Sequence, residues 1–131
     1  MVLAWCLLGP VTVSVAAIVP EFTIENGVRV VQGQQFTDTV RISGAEWDGA
    51  IIRNNQFAGQ IEHGLTLSDV KNLIVEDNSF TGMARNAIKL EDVQTTGALN
   101  VTIADNRFED IAPTPILVGA PNPGVRILRN Q

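Results

Sequence analysis

The sequence "LIVEDNSF" at residues 73–80 carries a pattern that occurs three times along the chain. "AIIRNNQF" at 50–57 and "NVTIADNRF" at 100–108 repeat it as a short apolar run, an Asn, one variable residue and a Phe, and "VRILRNQ" at 125–131 begins a fourth copy. The asparagines recur after 23, 28 and 24 residues, at Asn55, Asn78, Asn106 and Asn130. A fixed period of this size is typical of solenoids, in which each repeat is one structural unit.

The runs in front of these asparagines have the composition and alternation of short β-strands. They are rich in β-branched residues, and alternation places two apolar side chains of each run on a common inner face. These pairs are Ala50 and Ile52, Leu73 and Val75, Val101 and Ile103, and Val125 and Ile127. A second strand series precedes them, in "TVRISG" from Thr39, "GLTLSD" from Gly64, "NAIKLED" from Asn86 and "TPILVG" from Thr114. Because so short a unit cannot cover its own apolar face, the units must stack into a parallel β-solenoid.

The repeated Asn and Phe have structural explanations in such a stack. A sharp inward turn needs a residue near the left-handed region, which Asn tolerates better than most side chains. Coils stacked at the strand spacing of about 4.8 Å also bring these amides within hydrogen-bonding reach of one another. We therefore expect an asparagine ladder at the corner and Phe57, Phe80 and Phe108 stacked in the core.

The length of the chain predicts one all-β domain. At roughly 25 residues per coil, 131 residues allow about five coils. We assign residues 18–131 to a single β-helix, and since the last coil stops before its expected Phe, we expect either a piece of a longer helix or end-to-end association through an uncapped coil.

The N-terminal segment has two interpretations. Residues 1–17 have an apolar run and end in small residues, like a secretion signal, but they lack the usual positively charged start. If they are not a signal, we expect them to form an N-terminal cap. Alternatively, "VSVAAIVPEFTIENGVRVV" is one more coil, with Asn26-Gly27 at the corner and Phe22 and Ile24 pointing inward. The apolar run is too short and too interrupted by Pro for a membrane span.

The segments "GLTLSDVKNLIVEDNSF" and "NAIKLEDVQTTGALNVTIADNRF" resemble repeats of right-handed parallel β-helix proteins of the pectate-lyase-like superfamily. The resemblance covers about residues 39–130. It implies a secreted, carbohydrate-related protein, with β-elimination of an acidic polysaccharide as one activity and a non-catalytic scaffold for carbohydrate binding, adhesion or assembly as the alternative. The Trp-Ile-Asp-His stretch of pectate lyases is absent, since "LIVEDN" and "VTIADN" stand in its place.

Composition limits the partners. The net charge is −5, and the basic residues form no cluster, so the chain does not look like a nucleic-acid-binding protein. Cys6 is the only cysteine, which excludes an internal disulfide, and no metal-ligand spacing is present. We therefore predict no cofactor. Calcium is possible because it would neutralise a substrate carboxylate, but the sequence contains no calcium-binding motif.

In the enzymes that this chain resembles, the groove lies on the outer face of the strand preceding the first turn. If Ile42, Leu67 and Leu90 point inward, two outward rows form: Arg41, Thr66 and Lys89, and then Ser43, Ser68 and Glu91. A lyase needs a base and a positive group that neutralises the carboxylate. The candidates for these roles are Lys89, Arg41 and His63, and the candidate substrate contacts are Thr66, Ser68, Arg85, Glu91 and Trp47.

Each of these residues also has a structural alternative. Lys89 and Glu91 could be solvated strand residues, and Arg85 could pair with Glu62 in the neighbouring coil. His63, the only histidine, could form an edge hydrogen bond instead of transferring a proton, and Trp47 could pack on its own turn.

Overall fold

The computed structural model describes residues 17–59, 62–91, 100–111, 114–119 and 124–131. These residues contain one short 3-10 helix, Ala45–Trp47, and strands only a few residues long. The strands are β1 Thr23–Glu25, β2 Val28–Gln32, β3 Gln35–Phe36, β4 Val40–Ser43, β5 Ile51–Arg53, β6 Gln56–Ala58, β7 Leu65–Ser68, β8 Ile74–Glu76, β9 Ser79–Thr81, β10 Ile88–Leu90, β11 Thr102–Ala104, β12 Arg107–Glu109, β13 Ile116–Val118 and β14 Arg126–Leu128.

The strands form three sheets, and each complete coil contributes one strand to each in turn. Sheet A has the order β4-β7-β10-β13, sheet B the order β1-β2-β5-β8-β11-β14, and sheet C the order β3-β6-β9-β12. All pairings except β1 with β2 are parallel. The predicted parallel β-helix is confirmed, with both strand series in the predicted places.

The number of complete coils is smaller than the predicted five. Within the described residues, three coils have a strand in all three sheets: β4 to β6, β7 to β9 and β10 to β12. Strands β2 and β3 begin a partial coil on one side, and β13 and β14 form another on the other side. Dividing the length by the period gives a larger count because two coils are incomplete within the described residues, which begin at residue 17.

The first two strands form a β-hairpin, so the interpretation of "IENG" as a coil corner is wrong. β1 pairs antiparallel with β2, and Asn26 and Gly27 between them have φ angles of 52° and 79°. Two consecutive residues with positive φ form the tight turn that matches the twist of a hairpin. Ile24 therefore does not point into the core and is 61% exposed. Residues 1–16 of the predicted signal-like or cap segment, with Cys6, lie outside the described residues.

The core is built by the inward faces of the three sheets. The predicted inward residues of sheet B from Ala50 to Ile103 are buried, as are Ile42, Leu67 and Leu90 of sheet A. In sheet C the rings of Phe57 and Phe80 stack with centroids 4.5 Å apart, and the ring of Phe108 follows at 5.3 Å. Ile127 is 47% exposed, because β14 pairs with β11 on one side only among the described residues.

The asparagine ladder at the corner between sheets B and C is confirmed. The side-chain Nδ2 of Asn55 donates to Oδ1 of Asn78, that of Asn78 to Asn106, and that of Asn106 to Asn130, each at 3.0 Å. The same Oδ1 atoms accept backbone N–H groups, such as that of Asn55 at 3.0 Å from Asn78. The expected left-handed turn lies one residue earlier, at Asn54, Asp77, Asp105 and Arg129, with φ between 49° and 57°.

Candidate functional site

The outer face of sheet A carries the two predicted rows. Register pairs Thr66 of β7 with Arg41 of β4 on one side and with Lys89 of β10 on the other. Ser43 pairs with Ser68, and Glu91, whose backbone N–H donates to Leu67 O at 2.9 Å, continues the second row. The sequence thus places short hydroxyl side chains on β7 between longer charged side chains on its two neighbours.

Arg41 and Glu91 are joined across the intervening strand β7. The guanidinium Nη2 of Arg41 lies 3.4 Å from Oε2 of Glu91 and 3.4 Å from Oγ of Ser68. Both charged side chains are partly exposed. We name this ion pair the Arg41–Glu91 bridge. Its partners stand two strands apart, so the guanidinium must lie over β7.

The hydroxyl groups beneath the bridge differ in their hydrogen bonding. Ser68 Oγ donates to Ser43 Oγ at 3.0 Å. Thr66, which is 5% exposed, has an Oγ1 atom without a hydrogen-bond partner in the structure. A buried hydroxyl usually has a partner, because leaving it unpaired costs free energy. Thr66 and Ser68 were both predicted to be outward residues, yet both are buried, and the Arg41 guanidinium contacts Ser68.

His63 lies just ahead of β7 and is 8% exposed. Its Nδ1 also has no hydrogen-bond partner in the structure. Burial, assisted by the positive charges of Lys89 and Arg85, lowers the pKa of His63, whereas Glu62 and Glu91 partly oppose that change. The imidazole is therefore neutral at pH 7, the state required of a proton acceptor.

Arg85 stands where the sequence placed it, beside Glu62 of the coil below. Its backbone N–H donates to Glu62 O at 3.0 Å, and its side chain is exposed. The positive charge of Arg85, like that of Lys89, lowers the pKa of His63.

Trp47 does not belong to this site, and its assignment as a substrate contact is wrong. It ends the short 3-10 helix and is 3% exposed. Phe22 packs edge-on against its ring at 5.3 Å between centroids, and the Arg29 guanidinium lies 4.7 Å from the ring centroid. The hairpin thus covers the indole, which leaves no face free to stack on a sugar.

An open groove lies beside Lys89 on the outer face. It has a volume of about 400 Å³ and is lined by Lys89, Leu90, Glu91, Leu117 and Gly119. Leu117 of β13 and Gly119, which directly follows that strand, continue the two outward rows and were not among the predicted site residues. The repeat could have identified them, since "TPILVG" aligns Leu117 with Lys89 in the same alternation.

Neither a metal-ligand group nor a membrane-spanning helix occurs in the part of the chain that the structure describes. Within the five described ranges, no group of three or more His, Cys, Asp and Glu residues could hold a metal ion. The same residues include no helix long and apolar enough to cross a membrane.

Comparison with known proteins concerns the fold. The family model described as the right-handed beta helix region matches residues 20–131, which is most of the chain. Comparisons with curated proteins and with solved structures gave no match. Together with the parallel three-sheet stack, the family match shows that the chain belongs to the right-handed β-helix family.

Proposed function

We propose that the outer face of sheet A binds an acidic polysaccharide outside the cell. The observation that carries this proposal is the outward row of Arg41, Thr66 and Lys89, with an open groove beside Lys89. Cationic side chains form strong, charge-assisted hydrogen bonds with carboxylates. The hydroxyls of Ser43 and Ser68 on the same rows are suited to sugar hydroxyls. Because the whole chain carries a charge of −5, attraction of a polyanion depends on this local arrangement.

Replacement of Lys89 by Met is expected to weaken binding of trigalacturonate at least about ten-fold, because a charge-assisted hydrogen bond is lost. Isothermal titration calorimetry at low salt measures the affinity directly. Lys71→Met is the matched control, since Lys71 is the only other lysine and lies in a turn outside sheet A. Equal affinities of the two variants for trigalacturonate would contradict the proposal, as would equally tight binding of a neutral trisaccharide by the wild type.

A second candidate function is β-elimination in the bound uronate chain, and the unpartnered Nδ1 of His63, whose pKa is lowered, favours it. In this reaction a base removes the proton next to the carboxylate, the bond to the leaving sugar oxygen breaks, and a carbon–carbon double bond forms. The abstracted proton stays on the base, and the leaving oxygen takes up a proton from solvent water. His63 would act as the base, and Lys89 would neutralise the carboxylate and so acidify that proton. Burial and Lys89 both keep His63 unprotonated for this role.

If His63 is the base, the rate of unsaturated uronide release should rise with pH and level off, with its midpoint below the ordinary histidine value of 6.5. The direction follows because the lowered pKa keeps the basic form present at a lower pH. Ultraviolet absorbance on polygalacturonate and alginate measures the release. His63→Gln should abolish it, whereas Lys71→Met should not. Binding without release by the wild type would leave the face as a binding surface and exclude elimination.

A further inference from the structure

Two buried side-chain atoms without hydrogen-bond partners occur among the described residues, and both belong to one short segment. They are Nδ1 of His63 and Oγ1 of Thr66. Both side chains are more than nine-tenths buried. Because buried polar atoms nearly always have partners, two unpaired atoms three residues apart on the candidate binding face indicate groups that a ligand would satisfy.

The Arg41–Glu91 bridge crosses the strand that carries one of these atoms, Oγ1 of Thr66. Arg41 lies on β4, and Glu91 directly follows β10. The guanidinium of Arg41 therefore passes over β7, the strand that carries Thr66, and it contacts Ser68 there. Thr66 is flanked by Arg41 and Lys89 in its own row. Two long side chains therefore flank this small hydroxyl residue, which is 5% exposed.

The bridge is easily opened. Its partners are 46% and 30% exposed, and its N–O distance of 3.4 Å is longer than that of a tight charge-assisted hydrogen bond. Partly exposed ion pairs of this kind are weak and are screened by salt. Glu91 also presents to Arg41 the same chemical group, a carboxylate, as a uronate ligand does.

We propose that the Arg41–Glu91 bridge is an internal plug of the binding face, which a carboxylate of the ligand opens by replacing Glu91 on Arg41. This inference rests on the proposed function for the identity of the ligand. Opening exposes Oγ1 of Thr66, which then bonds a ligand hydroxyl. Glu91 thus limits affinity, and ligands that carry both a carboxylate and hydroxyls are favoured over simple anions.

The accessibility of position 66 tests the plug without any ligand. In a Cys6→Ser background, Thr66→Cys introduces one thiol under the bridge, and uncharged N-ethylmaleimide labels it when the bridge is open. Adding Glu91→Gln should speed labelling about three- to five-fold, since the ion pair that is removed is a weak one. Glu62→Gln, the same charge change near His63, should leave the rate unchanged. Equal rates in all three proteins would overturn the plug.

If Thr66→Cys does not fold, Ser68→Cys provides the same measurement, because Ser68 also lies under the guanidinium. Titration with trigalacturonate then separates the two proposals. The Glu91→Gln variant should bind it about three- to five-fold more tightly than the wild type and than Glu62→Gln. Faster labelling without any trigalacturonate binding would support the plug and refute the proposed ligand. Binding that Glu91→Gln does not strengthen would support the ligand and overturn the plug.

Discussion

Replacement of Asn78 by alanine is expected to lower the free energy of unfolding by about 4 kcal/mol, a large part of the stability of a domain of this size. Asn78 is buried in the middle of the ladder. Its Oδ1 accepts the backbone and side-chain N–H groups of Asn55, and its Nδ2 donates to Ile52 O and to Asn106 Oδ1. Alanine leaves several of these partners buried and unpaired, each costing about 1–3 kcal/mol.

Urea unfolding followed by circular dichroism measures this loss. Gln56→Ala is the control, because Gln56 is an exposed amide on the same corner, and its truncation should change stability by no more than about 0.5 kcal/mol. A loss in Asn78→Ala as small as that of the control would show that water replaces the amide. The ladder would then be a consequence of the stack and not one of the interactions that stabilise it.

The ladder itself was predictable from the sequence, whereas the turn beside it was not fully so. A repeated Asn at one position of a stacked coil brings the amides together whatever their exact backbone angles. The left-handed residue is the preceding one, and it is Asn, Asp or Arg in different coils. Because the residue type at this position varies, the repeat does not identify it as the left-handed residue, whereas the invariant Asn next to it is obvious. At this corner the invariance of the Asn reflects hydrogen bonding rather than backbone conformation.

The positions on the candidate site were predictable, but the interactions between them were not. Alternation alone assigned Arg41, Thr66 and Lys89 to one outward row, as the register confirms. The spacing of the repeats does not indicate that Arg41 reaches Glu91 across β7. Whether a long side chain can cross a strand depends on the size of the side chains on that strand. The short Thr66 and Ser68 leave that space. Short residues on one strand between long charged residues on its neighbours therefore indicate a possible ion pair across that strand, and aligning the repeats reveals this pattern.

The errors near the N-terminus have one physical origin. Asn26-Gly27 was assigned to a coil corner because the other corners contain Asn. Asn followed by Gly between apolar residues favours a two-residue hairpin turn more strongly than a solenoid corner. The hairpin brings Phe22 onto Trp47, a contact between distant turns that the position of Trp47 in its own turn does not indicate. A local turn preference here outweighed the continuation of the repeat.

Replacement of Phe80 by alanine is expected to destabilise the fold by about 3–5 kcal/mol, the range for a large aromatic residue removed from a packed core. Phe80 is fully buried, and its ring stacks between those of Phe57 and Phe108. The ring also lies directly under the start of β7, since one of its carbons would be only 3.1 Å from a Cβ added to Gly64. The cavity would therefore open both the aromatic stack and the support of the segment that carries His63.

Phe108→Ala provides the comparison, because Phe108 follows Phe80 in the same stack but is only partly buried. Its truncation should cost roughly half as much, since a partly exposed site leaves a smaller cavity. Urea unfolding measures both losses, and the pKa of His63, followed by proton NMR, reports on the site. Solvent entering beneath β7 would reduce the burial that lowers this pKa, so Phe80→Ala should move it upward and Phe108→Ala should not. Equal stability losses in the two variants, with His63 unchanged in both, would mean that the core relaxes around the cavity and that the aromatic stack does not support the binding face.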